Sequence, residues 1–377
     1  MNILYIVEAS GGVGRHLCDL IIGLANKGHE ITLAYSNARM DAQFKVNIDK
    51  LSDGGVNTVE ISMARGPSLA DFYVLLRLLF VHYKYGPFDI VHGHSSKGGA
   101  LARIIALTIG AKSIYTPHAF YSMNPGLSAY KLWVYKKIEF LLAKLGEAII
   151  LTSRQEVDHS LLLHLPPSSI YLIHNGSNSS MAPQDEVGDF QSVCNIKPGD
   201  FIFGFVGRFE YQKNPESLIE AFSTLARTRE NLKLIMVGDG SLRHQLEELA
   251  KNLGISEYVK FPGFYPSAIA MASFDVFVLP SRYEGSPYVL HDAALASLPI
   301  ISTNVGGADI LVRDGVNGYL VGQDTIGEMA TAMRRLMEDP IGAKQMGVNS
   351  LKLMASYSVD DMVDKTLNLY KNIVYKN

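Results

Sequence analysis

Apolar residues run unbroken through Asn2–Val7 and return in short blocks along the chain, separated by stretches with a helical period. An unbroken apolar run reads as a strand buried on both faces, the habit of parallel sheets. Gly11–Gly14 interrupts the first run. Leu17, Leu20, Ile21 and Leu24 then predict a helix over Arg15–Lys27, closed by Gly28. Further strands are predicted at Glu30–Tyr35, Val56–Ile61, Asp89–His92, Ser113–Thr116, Ala148–Thr152 and Tyr171–Ile173, with helices over 70–84 and 96–109. A second alternation begins at Phe201–Val206 and continues through Lys233–Val237, Val259–Phe261, Val276–Leu279, Ile300–Ser302 and Tyr319–Val321. Its helices are predicted over 214–228, 241–253, 266–273 and 287–297, with more helix to the end. Two rounds of strand and helix imply two doubly wound α/β domains.

At 377 residues the chain is too long for one ordinary core. The polar, turn-rich stretch 181–200 reads as a linker between a domain over 1–180 and another over 201–355. The remainder, 356–377, reads as a C-terminal helix that packs back toward the first domain. With 47% hydrophobic and 19% charged residues, the composition is that of an ordinary globular protein. No apolar run reaches the roughly 18–20 residues that span a bilayer. The start of the chain has neither a cationic region nor a small-residue cleavage site, so no signal peptide is expected. Cys18 and Cys194, unpaired in spacing, suit a reducing cytoplasm and exclude a disulfide framework.

Net charge is −3, unevenly spread: residues 61–145 hold ten Lys/Arg against three Asp/Glu. That bias suits an anionic surface or acceptor, or simply well-solvated helices. Lys131–Leu145 is amphipathic, with apolar residues at 134, 138, 141, 142 and 145, and reads either as a membrane-surface helix or as a core helix with a solvated face.

The candidate chemistry lies in the second half. Arg208 and Lys213 follow the strand ending at Val206; Glu284 follows another, and Asp292 comes eight positions later, with seven residues between the two acids. Two cations suit a diphosphate and two acids suit hydroxyl groups, which outlines a nucleotide-sugar site. Ser286 and Pro287 suit the cap and first position of a helix whose amides could face phosphate. Gly11–Gly14 lacks the third glycine and the later acid of a dinucleotide fingerprint, which argues against a dehydrogenase. His92 and His94, two residues apart, make no metal case, and no metal or cofactor is expected.

From Phe203 to Val321 the chain resembles the retaining glycosyltransferases of family 4. The resemblance is carried by Val206–Ala221, Val237–Ile255, Val259–Gly263, Leu279–Pro299 and Val305–Val321. Gly11–Gly14, Gly28–Glu30 and Asp89–His92 extend it more loosely through the first half. It implies the GT-B fold, two facing Rossmann-like domains with a cleft between them. It also implies Arg208, Lys213, Glu284 and His118 as the catalytic set. Donor-binding residues would be Gly12, Gly14, Gly207, Gly238, Asp239, Gly263, Ser286, Pro287, Tyr288, Asp292, Gly306 and Gly307. Asp292 stands where relatives carry Glu, and Ile310 where many carry an acid, with Asp309 one place earlier. The implied activity is metal-independent transfer from a nucleotide sugar, UDP-linked by family habit, to a glycan or lipid-linked acceptor in polysaccharide biosynthesis. The enzyme would be cytoplasmic, at or near the membrane face, with no nucleic-acid partner. A non-catalytic protein of the same fold, or a nucleotide-sugar epimerase, are the competing readings.

Overall fold

The computed structural model describes residues 1–375 apart from 9–10, 39, 41, 65, 179–181 and 324. The chain divides into two compact units, Met1–Gly176 with Ser358–Asn377, and Ser177–Tyr357.

In the first unit the strands are β1 Asn2–Val7, β2 Glu30–Tyr35, β3 Asn57–Glu60, β4 Ile90–His94, β5 Lys112–Thr116, β6 Ala148–Leu151 and β7 Ile170–Leu172. All pair in parallel, in the order β3-β2-β1-β4-β5-β6-β7. The helices between them are α1 Gly12–Asn26, α2 Ala42–Asp53, α3 Ala70–Tyr85, α4 Ser95–Ile109, α5 Ala129–Ala143 and α6 Arg154–Leu162. Successive strand side chains point to opposite faces. In β1, Ile3, Tyr5 and Val7 therefore join one core and Leu4 and Ile6 another. The unbroken apolar run is the sequence trace of that double burial.

The second unit repeats the scheme with β8 Phe201–Val206, β9 Leu232–Val237, β10 Val259–Gly263, β11 Val276–Leu279, β12 Ile300–Thr303 and β13 Gly318–Val321. Their order is β10-β9-β8-β11-β12-β13. Its helices are α7 Gln184–Val193, α8 Pro215–Ser223, α9 Arg243–Asn252, α10 Ser267–Met271, α11 Tyr288–Leu295, α12 Ala308–Leu311, α13 Ile326–Glu338 and α14 Pro340–Met354. The chain then returns to the first unit as α15, Val359–Tyr375, which packs beside α1. Tyr370 of α15 is fully buried there, its hydroxyl 2.9 Å from that of Tyr5.

Strand order reverses between β1 and β4 in one sheet and between β8 and β11 in the other. In doubly wound sheets ligands bind beyond the strand carboxyl ends at such reversals. Gly12 and His94 follow or end the first pair; Arg208, Lys213 and Glu284 follow the second.

Several expectations need correction. Residues 181–200 are not a bare linker: Val187 and Phe190 of α7 bury into the second unit's core, a short apolar pair inside a polar stretch (Met181 lies outside the described residues). Helix α1 starts at Gly12, because the glycines after Gly11 adopt helical conformation. Pro287 is the cap and Tyr288 the first residue of α11, one place later than Ser286 and Pro287 suggested, because Pro287 is extended at ψ 115°. Leu141 in α5 and Leu145 just beyond it are exposed, which counts against the core-helix reading, while the buried face of α5 carries Glu139 and Ala143. Glu139 is held there by Tyr115 Oη at 3.1 Å and by the buried Arg103. Helices α2 and α6 lie outside the sequence reading, although Phe44, Ile48 and Leu51 of α2 keep a helical spacing and all bury.

Candidate functional site

In the second unit two loops meet. The chain leaves β8 through Gly207 and exposed Arg208, makes a short turn at Tyr211–Lys213, and enters α8 through Asn214, which is left-handed at φ 50°. Lys213 Nζ donates to Glu284 Oε1 at 2.7 Å, and both side chains are largely buried. Glu284 also accepts from Ser281 Oγ at 2.8 Å and from Gln212 Nε2 at 3.3 Å. Arg282 clamps the turn from the other side. Its backbone N–H donates to the Gln212 carbonyl, its guanidinium to the Tyr211 carbonyl at 2.6 Å, and it stacks over the Tyr211 ring. The carboxylate is therefore oriented by several donors, and the lysine by the carboxylate. Arg208 differs: its guanidinium has no bonding partner among the described residues.

Glycines bring these loops together. A Cβ on Gly306 would lie 2.3 Å from the Glu284 carbonyl oxygen, and one on Gly307, already at φ 74°, 2.8 Å from Ser286 Cα. The loop before α12 thus presses directly on the Glu284–Ser286 backbone at the start of α11. Gly238, at φ 132°, touches the Gly207 carbonyl in the same way. Close backbone contact alone requires glycine at 238, 306 and 307. Asp239 accepts through its carbonyl from Phe209 N–H at 2.9 Å, and Gly263 is left-handed at the end of β10. Asp292 accepts from Ser267 Oγ at 2.6 Å, so the shortened acid is engaged by α10. Exposed Asp309 sits in the first turn of α12, and Ile310 packs on the core.

In the first unit, Gly14 packs against Phe44 of α2, where a Cβ would come within 2.5 Å of the ring; Gly12 is exposed. After β5 the chain makes two left-handed residues, His118 at φ 53° and Ala119 at φ 83°. Such conformations cost about 1–2 kcal/mol each for residues with a Cβ. Buried Glu156 holds them, accepting from Ala119 N–H at 2.6 Å and from Thr152 N–H at 2.7 Å.

This turn delivers His118 to two other imidazoles. His118 Nε2 lies 2.9 Å from His94 Nδ1, and His16 stands edge-on to His118 with ring centres 4.7 Å apart. Asn175 Oδ1 holds His16 Nδ1 at 3.0 Å. Desolvation pushes the His16 pKa down to about 4 and holds His92, His94 and His118 well below the usual range, so all four are neutral at pH 7. The expectation of no metal site rested on the His92–His94 spacing. The fold instead collects His16, His94 and His118 from three separate segments, with ligand atoms all within 4.8 Å of one another. No sequence interval shows that convergence, nor the parts played by Glu156, Arg282 and Gln212.

Comparison with known proteins matches residues 10–180 to the model described as Glycosyltransferase Family 4. Residues 189–353 match the one described as Glycosyl transferases group 1. The UDP-Gal:alpha-D-GlcNAc-diphosphoundecaprenol alpha-1,3-galactosyltransferase of Escherichia coli is 30% identical over 323 residues, 83% of each chain. The putative glycosyltransferase EpsD of Bacillus subtilis is 28% identical over 79% of each. Among solved structures, Anabaena HepE in complex with UDP and glucose superposes with a TM-score of 0.83 at 20% identity, covering 99% of this chain and all of that one. The two parallel-sheet α/β units and these neighbours give the fold as GT-B.

Proposed function

Because the chain belongs to glycosyltransferase family 4, we propose that it transfers a sugar from a UDP-linked donor to a lipid-linked glycan, with retention at the anomeric carbon and without a metal. The observation that carries this reading is the Lys213–Glu284 pair at the start of α11. As the bond from sugar to diphosphate breaks, the leaving group gains negative charge. Lys213, Arg208 and the first amides of α11 supply positive potential where that charge develops, which stabilises the transition state more than the ground state. Glu284, oriented by Ser281 and Gln212, is assigned to a hydroxyl of the donor sugar, and Asp292 to the ribose. His118, neutral and set by a strained turn, is assigned to orient a second sugar hydroxyl. No side chain here is an obvious nucleophile. By the family's habit, the departing phosphate is assigned to take the acceptor proton, on the same face of the sugar.

A lipid-linked acceptor is supported by the E. coli relative, whose name gives an undecaprenol-linked substrate. It is also supported by the outer face of α3. Phe72, Tyr73, Leu76, Phe80 and Tyr83 are exposed there beside Arg77 and Lys84. Aromatic side chains interleaved with cations suit the interface of an anionic membrane. No helix among the described residues is long and apolar enough to cross one. The role then assigned is a step of polysaccharide assembly at the cytoplasmic membrane face. The test is UDP release from a panel of nucleotide sugars with lipid-linked acceptors. Release that survives both Arg208→Ala and Glu284→Ala rejects this site, and donor conversion without acceptor favours an epimerase.

A further inference from the structure

We propose that His16, His94 and His118 bind one divalent transition-metal ion, of the zinc, nickel or copper class, and that its binding withdraws His118 and slows transfer. Three imidazoles around a tetrahedral ion, with metal–nitrogen lengths of about 2.0–2.1 Å, place their ring centres roughly 5 Å apart. Here the three separations are 4.7, 5.2 and 5.5 Å. His94 Nδ1 and His118 Nε2 lie 2.9 Å apart with one hydrogen between them. A cation that enters there shifts that hydrogen to the far nitrogen of the ring that held it, leaving both facing nitrogens as lone-pair donors, and needs little movement from either ring.

The surroundings are built as metal sites are. Asn175 Oδ1 accepts from His16 Nδ1–H, the outer-shell contact that turns the other nitrogen into the ligand. His92 lies against His94 with ring centres 4.1 Å apart, and its own nitrogens are taken by Tyr370 Oη at 2.6 Å and Thr116 Oγ1 at 2.9 Å. It is a fixed buttress. His94 is fully buried, with its Nδ1 turned toward His118. Three nitrogens and no carboxylate suit zinc, nickel or copper, and do not suit magnesium or calcium. Three protein ligands leave a fourth position for water or a hydroxyl.

Binding is independent of the function proposed above; the effect on transfer rests on it. The experiment uses the full chain without a histidine tag. Co2+ is titrated and followed by its visible spectrum, and Zn2+ by calorimetry, with Mg2+ as control. The expected result is one equivalent of Zn2+, a tetrahedral Co2+ spectrum, and no uptake of Mg2+. Asn175→Ala should weaken Zn2+ binding by about 10–100-fold, and His16→Ala should abolish it, with circular dichroism confirming the fold of each. If His16→Ala does not fold, His118→Ala takes its place, since that ring is less buried. Equal Zn2+ affinity in a folded ligand variant, or an octahedral Co2+ spectrum, overturns the site. Zn2+ that binds without slowing UDP release overturns the inhibitory role. Absence of turnover in metal-free protein that still binds Zn2+ counts against the proposed function and upholds the site.

Discussion

Lys213 Nζ sits 2.7 Å from Glu284 Oε1, although 71 residues separate them in the chain. Arg208, five positions before Lys213, is exposed and makes no such bond among the described residues. The two cations should therefore respond differently to removal.

Lys213→Ala leaves the Glu284 carboxylate buried without its ion partner. Breaking a buried pair from one side costs about 3 kcal/mol or more, so both stability to urea and UDP release should fall. Arg208→Ala should leave stability within about 0.5 kcal/mol. Its turnover should drop by about 100–1,000-fold, the usual loss for one group that stabilises developing charge. Equal stability losses in the two variants would show that the buried pair is not what distinguishes them.

Gly306→Ala places a methyl 2.3 Å from the Glu284 carbonyl oxygen. Backbone, not a flexible side chain, stands in the way, so the loop before α12 must retreat from Glu284–Ser286. The expected outcome is a loss of donor affinity, read as a raised KM for nucleotide sugar, with the fold retained by circular dichroism. An unchanged KM would remove this contact from the site.

Acid should weaken the first unit through its histidines. The folded His16 pKa is lowered to about 4 by burial, against an unfolded value of about 6.5. In that interval the unfolded chain binds more protons. The stabilisation is therefore complete above pH 6.5 and is lost as pH falls toward 4. For His16 alone the loss between pH 7 and pH 5 is about 2 kcal/mol. His92, His94 and His118 act in the same direction, while the raised carboxyls of Glu139 and Glu156 act against it. Comparing urea unfolding of the wild type with His16→Gln at both pH values isolates the His16 share. A pH-independent difference would mean that this ring is not neutral in the native protein.

Replacing Phe72 and Phe80 by Ser on α3 should reduce co-sedimentation with anionic phospholipid vesicles, and Arg77→Glu with Lys84→Glu should reduce it further. Neutral vesicles should capture the wild type less well, and salt should weaken the charged part of the attraction. Wild-type levels of binding by the double Ser variant would direct attention to another face.

Much of the fold was legible because burial on both faces writes itself into a strand as an unbroken apolar run. β1 and β8 were read with the bounds the structure has. Helices α2 and α6 lie outside the sequence reading, and the buried face of α5 escapes it because that face includes a carboxylate compensated by Arg103 and Tyr115. Helical period reports which positions are apolar, and a charge satisfied from another element defeats it. The stretch 181–200 shows the same limit from the other side, since two buried residues suffice to anchor α7 in a polar context.

Local order along the chain determined the two α/β units, the loops at the strand ends, and the residue types proposed here to hold a diphosphate. It could do so because strand, turn and helix depend on neighbours a few residues apart. Tertiary structure alone decided that Lys213 meets Glu284, that Gly306 and Gly307 press on the start of α11, and that His16, His94 and His118 converge. Each of those meetings joins segments whose separation in sequence carries no distance, and only packing of helices onto the sheets fixes which side chains share a space.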